Sequence, residues 1–219
     1  MFDFSSMIYT VPALLIAITI HEYAHALTAD AMGDPTPRYL GRLTFNPLAH
    51  LDILGAIMLA LFHFGWAKPV PINPARMNHP RKGIIWTSLA GPLSNLLAAL
   101  VGVILMQIVF PFYYTSSNAV LTGVYLLLYW FANINISLAV FNLIPVPPLD
   151  GSKALMMLLP YEKGMWMERH QQQLSLVLWI LILVGVLNVP LGYLSYWIMK
   201  FFTWATQWLS LIHISEPTR

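Results

Sequence analysis

The chain has 219 residues, 58% of them hydrophobic and only 9% charged, with a mean hydropathy of +0.66. A soluble domain carries about 25% charged residues, so this composition excludes an ordinary soluble protein and points to an integral membrane protein. The net charge of +2 gives no basis for nucleic-acid binding, and the absence of cysteine excludes disulfides and thiolate metal ligands.

Residues 1–6 are a short polar start with neither the basic region nor the small-residue cleavage site of a signal peptide, so the apolar run behind them is expected to be retained. The first span is predicted from Met7 to about Ala31, and Gly33-Asp34-Pro35-Thr36-Pro37 stops it. Its last third carries His21-Glu22-Tyr23-Ala24-His25. Histidines four residues apart share one helix face and can aim a ring nitrogen at one ion. Glu22 beside them is placed to take a proton from a metal-bound water, the arrangement of a zinc hydrolase. On a soluble helix the same residues would read as a solvated face. Inside a membrane-grade apolar run, ionisable groups are costly and tend to be functional.

Residues 38–50 read as short extended structure or loop at the membrane surface. Leu51 to Trp66 is apolar but only 16 residues long, which suits a re-entrant or interfacial segment better than a span. Residues 67–83 are rich in proline and basic residues, which excludes helix and permits an extended edge. Ile84 to about Pro111 is the second predicted span. It opens with Ala90-Gly91-Pro92-Leu93-Ser94-Asn95, a small and polar face for close helix packing. Asn95 fits an interhelical hydrogen bond there. The third span runs from Ala119 to about Ile144 and carries Asn133, Asn135 and Asn142.

The prolines of Asn142 to Asp150-Gly151 break the chain within or near the membrane, where irregular backbone is tolerated only if it is buried or lines a cavity. A short helix, Ser152 to Leu159, follows, then a polar stretch from Pro160 to Gln173. Leu174 to about Met199 is the last predicted span, interrupted by Gly185 and Pro190. Residues 201–212 form an aromatic interfacial tail with Trp204 and Trp208. The last residues, 213–219, are unlike the rest and have no assigned role. The expectation is one all-α polytopic membrane domain over residues 1–212, with about four transmembrane helices, a re-entrant segment and short extended segments near the site.

Two histidines and a water leave a tetrahedral zinc one ligand short, and without cysteine the third must be a carboxylate or another histidine. Asp150 is the best candidate, because it is the other acid in a break between strongly apolar spans. To share an ion with His21 and His25, it must leave the membrane on the same side, so residues 51–66 should not cross. With that topology, residues 32–83 and 145–173 share a side and hold Arg38, Arg42, Lys68, Arg76, Arg81, Lys82, Lys153, Lys163 and Arg169. The other side holds no Lys or Arg before Lys200. The positive-inside rule then puts the site near the cytoplasmic face and the N-terminus outside.

With these motifs in order, the sequence resembles the site-2 protease family of intramembrane zinc metalloproteases, most closely its compact bacterial and archaeal members. The match consists of His21-Glu22-Tyr23-Ala24-His25, Ala90 to Asn95, Asn142 to Asp150-Gly151, and a stretch like Gly65-Trp66-Ala67-Lys68-Pro69-Val70; it covers about residues 8 to 160. The resemblance implies one zinc held by His21, His25 and Asp150, with Glu22 as general base and acid. It implies a substrate or oxyanion role for Asn142, with Asn95 a further candidate, and a home in a prokaryotic cell membrane. The chain has no room for the PDZ or CBS domain of longer relatives.

The expected reaction is hydrolysis of peptide bonds in membrane-embedded substrates, with the lipid bilayer as the other partner. A helical substrate must unwind first, and segments 38–46 and 67–74 offer an edge on which an extended chain can pair; otherwise they merely cover the site. Two other classes compete: a metal or ion carrier, in which intramembrane His, Asp and Asn line a pathway, and an inactive helix-binding scaffold. Glu22 discriminates, since a base beside two ligand histidines adds little to transport. Of the remaining candidates, Asp52 and His63 are expected to be interfacial or locally hydrogen-bonded, and His79 and His170 to face water.

Overall fold

The computed structural model describes residues 4–52, 54–55, 67–116 and 118–208. Most of the expected re-entrant segment, residues 53 and 56–66 with His63, and residues 209–219 lie outside them. Eight α-helices are present among the described residues. They are α1 (Phe4–Ala31), α2 (Thr36–Tyr39), α3 (Pro80–Thr115), α4 (Ala119–Asn142), α5 (Asp150–Leu158), α6 (Tyr161–Arg169), α7 (Gln171–Leu183) and α8 (Asn188–Thr206). Among the described residues, three helices are long and apolar enough to cross a membrane: Ser6–Ala31, Pro80–Thr115 and Ala119–Asn142. Helices α7 and α8 make a fourth if taken as one span bent by 81°. The fold is an all-α polytopic membrane fold, as composition requires.

Several boundaries differ from the sequence reading. The second span starts at Pro80 rather than Ile84, since proline is tolerated in the first helical turn, where its missing N–H costs nothing. The polar stretch after Pro160 holds α6. The last apolar run is two helices, because the chain turns at Gly185, whose φ of +78° suits glycine. Arg38 and Tyr39 lie in the short α2, and the proline-rich segment includes a 3-10 turn at Pro74–Arg76 capped by Asn73.

The helices contribute to two compact units. One contains residues 1–17, 95–140 and 187–219 as far as they are described. Its core joins Ala99, Ile136 and Val140 with Leu191, Ile198, Met199 and Phe202, and Val103, Met106 and Ala132 with Tyr125 and Leu128. Asn95 is fully buried there and donates to the Ala17 carbonyl (3.0 Å) and to Asn135 Oδ1 (2.8 Å). These are the interhelical hydrogen bonds expected of a polar residue in a spanning helix.

The other unit contains residues 18–94 and 141–186. Here α1 ends at Gly33 (φ +100°), and Asp34 returns its N–H to the Ala29 carbonyl. The fully buried Asp34 carboxylate then accepts from the N–H groups of Thr36 (3.0 Å) and Asn73 (2.6 Å), pinning residues 67–79 beside the end of α1. Burial alone would raise its pKa; a hydrogen bond from the Thr36 hydroxyl, these two N–H groups and the nearby Arg76 charge hold it below the usual carboxylate range. A single antiparallel bridge, Leu51 to Ala67, and a bond from Lys68 N–H to the His50 carbonyl give this segment its extended form. Residues 143–149 lead into α5, which begins at Asp150.

Candidate metal centre

The helical period puts His21 and His25 on one face of α1, both buried at 7% and 6% exposure. Asp150, the first residue of α5, reaches the same point. His25 Nε2 lies 3.0 Å from His21 Nε2 and 3.1 Å from Asp150 Oδ2, and His21 Nε2 lies 3.2 Å from that oxygen. Three donor atoms thus form a nearly equilateral triangle. Zinc bound tetrahedrally through N and O at 2.0–2.2 Å separates neighbouring donors by about 3.3–3.5 Å, so a small outward relaxation makes the triangle one face of such a site. Two imidazoles and one carboxylate are also a donor set that catalytic zinc uses. Of all groups of three potential ligands among the described residues, this is the one close enough to share an ion.

Neighbouring groups fix these donor side chains. His25 Nδ1 is 2.6 Å from the Thr87 carbonyl, so Nδ1–H donates there and, in the neutral ring, leaves the Nε2 lone pair available to an ion. Asp150 Oδ1 accepts from Lys153 Nζ at 3.0 Å, which leaves Oδ2 for the centre. Burial works against ionisation of Asp150; hydrogen bonds from His21 and His25 in their protonated forms, which have no free Nε2 lone pair for an ion, and the charges of that His25 form and of Lys153 hold its carboxyl well below the usual carboxylate range. Glu22 is buried at 9% exposure, and its Oε2 accepts the Val70 N–H at 3.1 Å.

Glycines allow the close approach. A Cβ at Gly91 would lie 2.5 Å from His25 Nε2 and 2.7 Å from His21 Nε2. At Gly151 it would lie 2.4 Å from the Leu143 carbonyl oxygen, so Gly151 lets the start of α5 pack on residues 143–144.

The structure therefore brings together His21, Glu22, His25 and Asp150 in one unit. Asn142, the last residue of α4, belongs to the same unit, whereas Asn95 belongs to the other. Asp52 accepts the Gly55 N–H at 2.8 Å, the local bond expected of it. His50 is fully buried, with Nε2 2.8 Å from the Thr44 carbonyl. His79 is exposed; His170 is half-buried and stacks on Trp166 at 4.6 Å, so it does not simply face water. The sequence reading missed Thr87, Val70 and Lys153. Two of these act through backbone atoms, which leave no signature in residue type. Lys153 lies one helical turn after Asp150, a spacing that marks it as a neighbour.

Residues 105–186 match peptidase family M50. YwhC of Bacillus subtilis, named as a zinc metalloprotease, is 38% identical over 159 residues, covering 73% of each chain. The chain belongs to family M50, the site-2 proteases. Rip2 of Mycolicibacterium smegmatis, also named as a zinc metalloprotease, is 30% identical over 200 residues, covering 89% of this chain and 74% of Rip2. MJ0611 of Methanocaldococcus jannaschii, with the same kind of name, is 42% identical over 109 residues, about half of each chain. No solved structure shows significant similarity.

Proposed function

We propose that the chain is an intramembrane zinc metalloendopeptidase, with His21, His25 and Asp150 as metal ligands and Glu22 as general base and acid. The observation that carries this reading is the convergence of three donor atoms next to a buried glutamate, in an apolar polytopic chain of family M50. A carrier has no need of Glu22 held at such a site, and an inactive scaffold has no need of the donor triangle.

When bound, zinc supplies Lewis acidity that makes a water acidic near neutral pH and polarises the scissile carbonyl. Glu22 takes the proton of the attacking water as its oxygen bonds to the carbonyl carbon. Glu22 then gives that proton to the leaving nitrogen as the C–N bond breaks. The Val70 N–H fixes one oxygen of Glu22 in place for both transfers. Asn142 is assigned to the substrate or the developing oxyanion, since it heads the linker that carries Asp150. Asn95 already spends its amide N–H groups on Ala17 and Asn135, so donating to a substrate or an oxyanion would require it to release one of them.

The substrate is a membrane-embedded segment that must unwind to present its carbonyl. Within residues 67–74, the Lys68, Val70 and Asn73 N–H groups are engaged inside the chain, and Pro69, Pro71 and Pro74 have none. Within 38–46 the N–H groups of Tyr39, Leu40, Gly41, Arg42 and Asn46 are engaged inside the chain as well, and Tyr39 is helical. We therefore assign both segments to covering the site, with a substrate strand pairing on either one only after local hydrogen bonds are released. By charge bias the site lies near the cytoplasmic face, with the N-terminus outside.

Two experiments test this reading. A model transmembrane peptide should be cut by the purified chain, with cleavage lost on chelation and restored by zinc; cleavage that persists in chelator would sink it. The cysteine-free sequence permits a clean topology test with His79→Cys and Asn118→Cys. Membrane-impermeant thiol reagents should reach position 79 from the cytoplasm and position 118 from outside, and the reverse pattern would overturn the orientation.

A further inference from the structure

Arg42 is only 5% exposed, and no carboxylate pairs with it among the described residues. A buried charge is costly unless hydrogen bonds replace its hydration. Here the replacement comes from backbone carbonyls alone. The Nη1 group donates to the Ala49 carbonyl, and Nη2 donates to the carbonyls of Lys68 and of Pro69, the latter at 2.7 Å. The buried Nε has no acceptor among the described residues, so both terminal nitrogens carry the load.

The Pro69 carbonyl and the Val70 N–H belong to the same peptide group, which is planar and rigid. Arg42 grips the oxygen of that group, and its N–H is the donor to Glu22 Oε2 at 3.1 Å. The guanidinium and the glutamate are thus joined through one peptide plane. A positive charge on the carbonyl oxygen polarises the group and strengthens its N–H as a donor. Only arginine offers several donors in a fixed planar fork that can hold two adjacent carbonyls and a third from another segment.

We propose that Arg42 is a positioning residue for Glu22, acting through the Pro69–Val70 peptide group. This rests on the assignment of Glu22 as the general base. It adds a residue 20 positions away in sequence that touches neither metal ligand nor Glu22 itself.

The test uses the full chain with Arg42→Gln, Arg42→Lys and Val70→Pro, the last removing the N–H while leaving Arg42 in place. Zinc content, kcat and KM on a model transmembrane peptide, and amide hydrogen exchange over residues 67–72 are measured for each. Arg42→Gln should keep its zinc, hold KM within about twofold and lose kcat by about 10–100-fold, the usual cost of losing an outer partner of a site. Its amide exchange at Val70 should rise. Arg42→Lys should recover part of the loss, and Val70→Pro should reproduce the fall in kcat. Unchanged kcat in Arg42→Gln or in Val70→Pro overturns the proposal, as does a loss explained fully by lost zinc. If Arg42→Gln does not fold, Val70→Pro decides. Failure of the wild type to cleave would instead strike the protease reading, and the Val70 exchange in Arg42→Gln would still decide whether Arg42 holds that peptide.

Discussion

Gly91 packs against His25 so closely that a Cβ on it would come within 2.5 Å of Nε2, the very atom that points to Asp150. Helix α3 therefore reaches the ligands with bare backbone, and any side chain at position 91 must push a histidine aside. Gly91→Ala is expected to lower zinc affinity by about 10–100-fold, by analogy with the loss of supporting groups around metal ligands. Competition with a chelator measures it, and unchanged affinity would mean that the packing relaxes freely.

Gly151→Ala meets a harder obstacle, since the clash at 2.4 Å is with the Leu143 carbonyl, which is backbone. The start of α5 must move, and Asp150 with it. The variant should bind zinc weakly even though every ligand is present. Zinc content of the purified protein checks this directly.

Lys153→Met removes the partner of Asp150 Oδ1. The Lys153 side chain is 49% exposed, so solvent screens its charge. The expected cost in zinc affinity is therefore only a few-fold, well below that of Gly91→Ala. Parallel chelator titrations of the two variants give the comparison, and a larger loss in Lys153→Met would contradict this ranking.

Asp34 supplies a pH dependence away from the metal. Its pKa is lowered in the folded chain, so its contribution to stability is complete above the unfolded value of about 3.9. That contribution is lost as pH falls further, through the lowered folded value. Asp34→Ala leaves the N–H groups of Thr36 and Asn73 without their acceptor and should cost about 1–3 kcal/mol at neutral pH. Unfolding in detergent as a function of pH should show that the variant and wild type converge in acid. A gap that persists there would assign the effect to packing instead of charge.

The candidate site was legible in the sequence because it depends on residue types at fixed spacings. His21, Glu22 and His25 follow helical geometry, and Asp150 stands out as an acid in a proline-rich break between apolar spans. What stayed hidden acts through the backbone. The Thr87 carbonyl that orients His25 and the Val70 N–H that holds Glu22 would be supplied by almost any residue at those positions. The 81° bend between α7 and α8 was hidden for a related reason. Leu174–Met199 reads as one apolar run, and Gly185 and Pro190 show where a turn is permitted but not its angle.

The central claim is that Glu22 performs the proton transfers while His21, His25 and Asp150 hold the metal. The most direct measurement is zinc content together with cleavage of a model transmembrane peptide, in wild type and in Glu22→Gln. Both proteins should hold about one zinc per chain, and the variant should lose activity by more than about a hundredfold. Cleavage by Glu22→Gln at the wild-type rate, or absence of zinc from the wild type, would contradict the account.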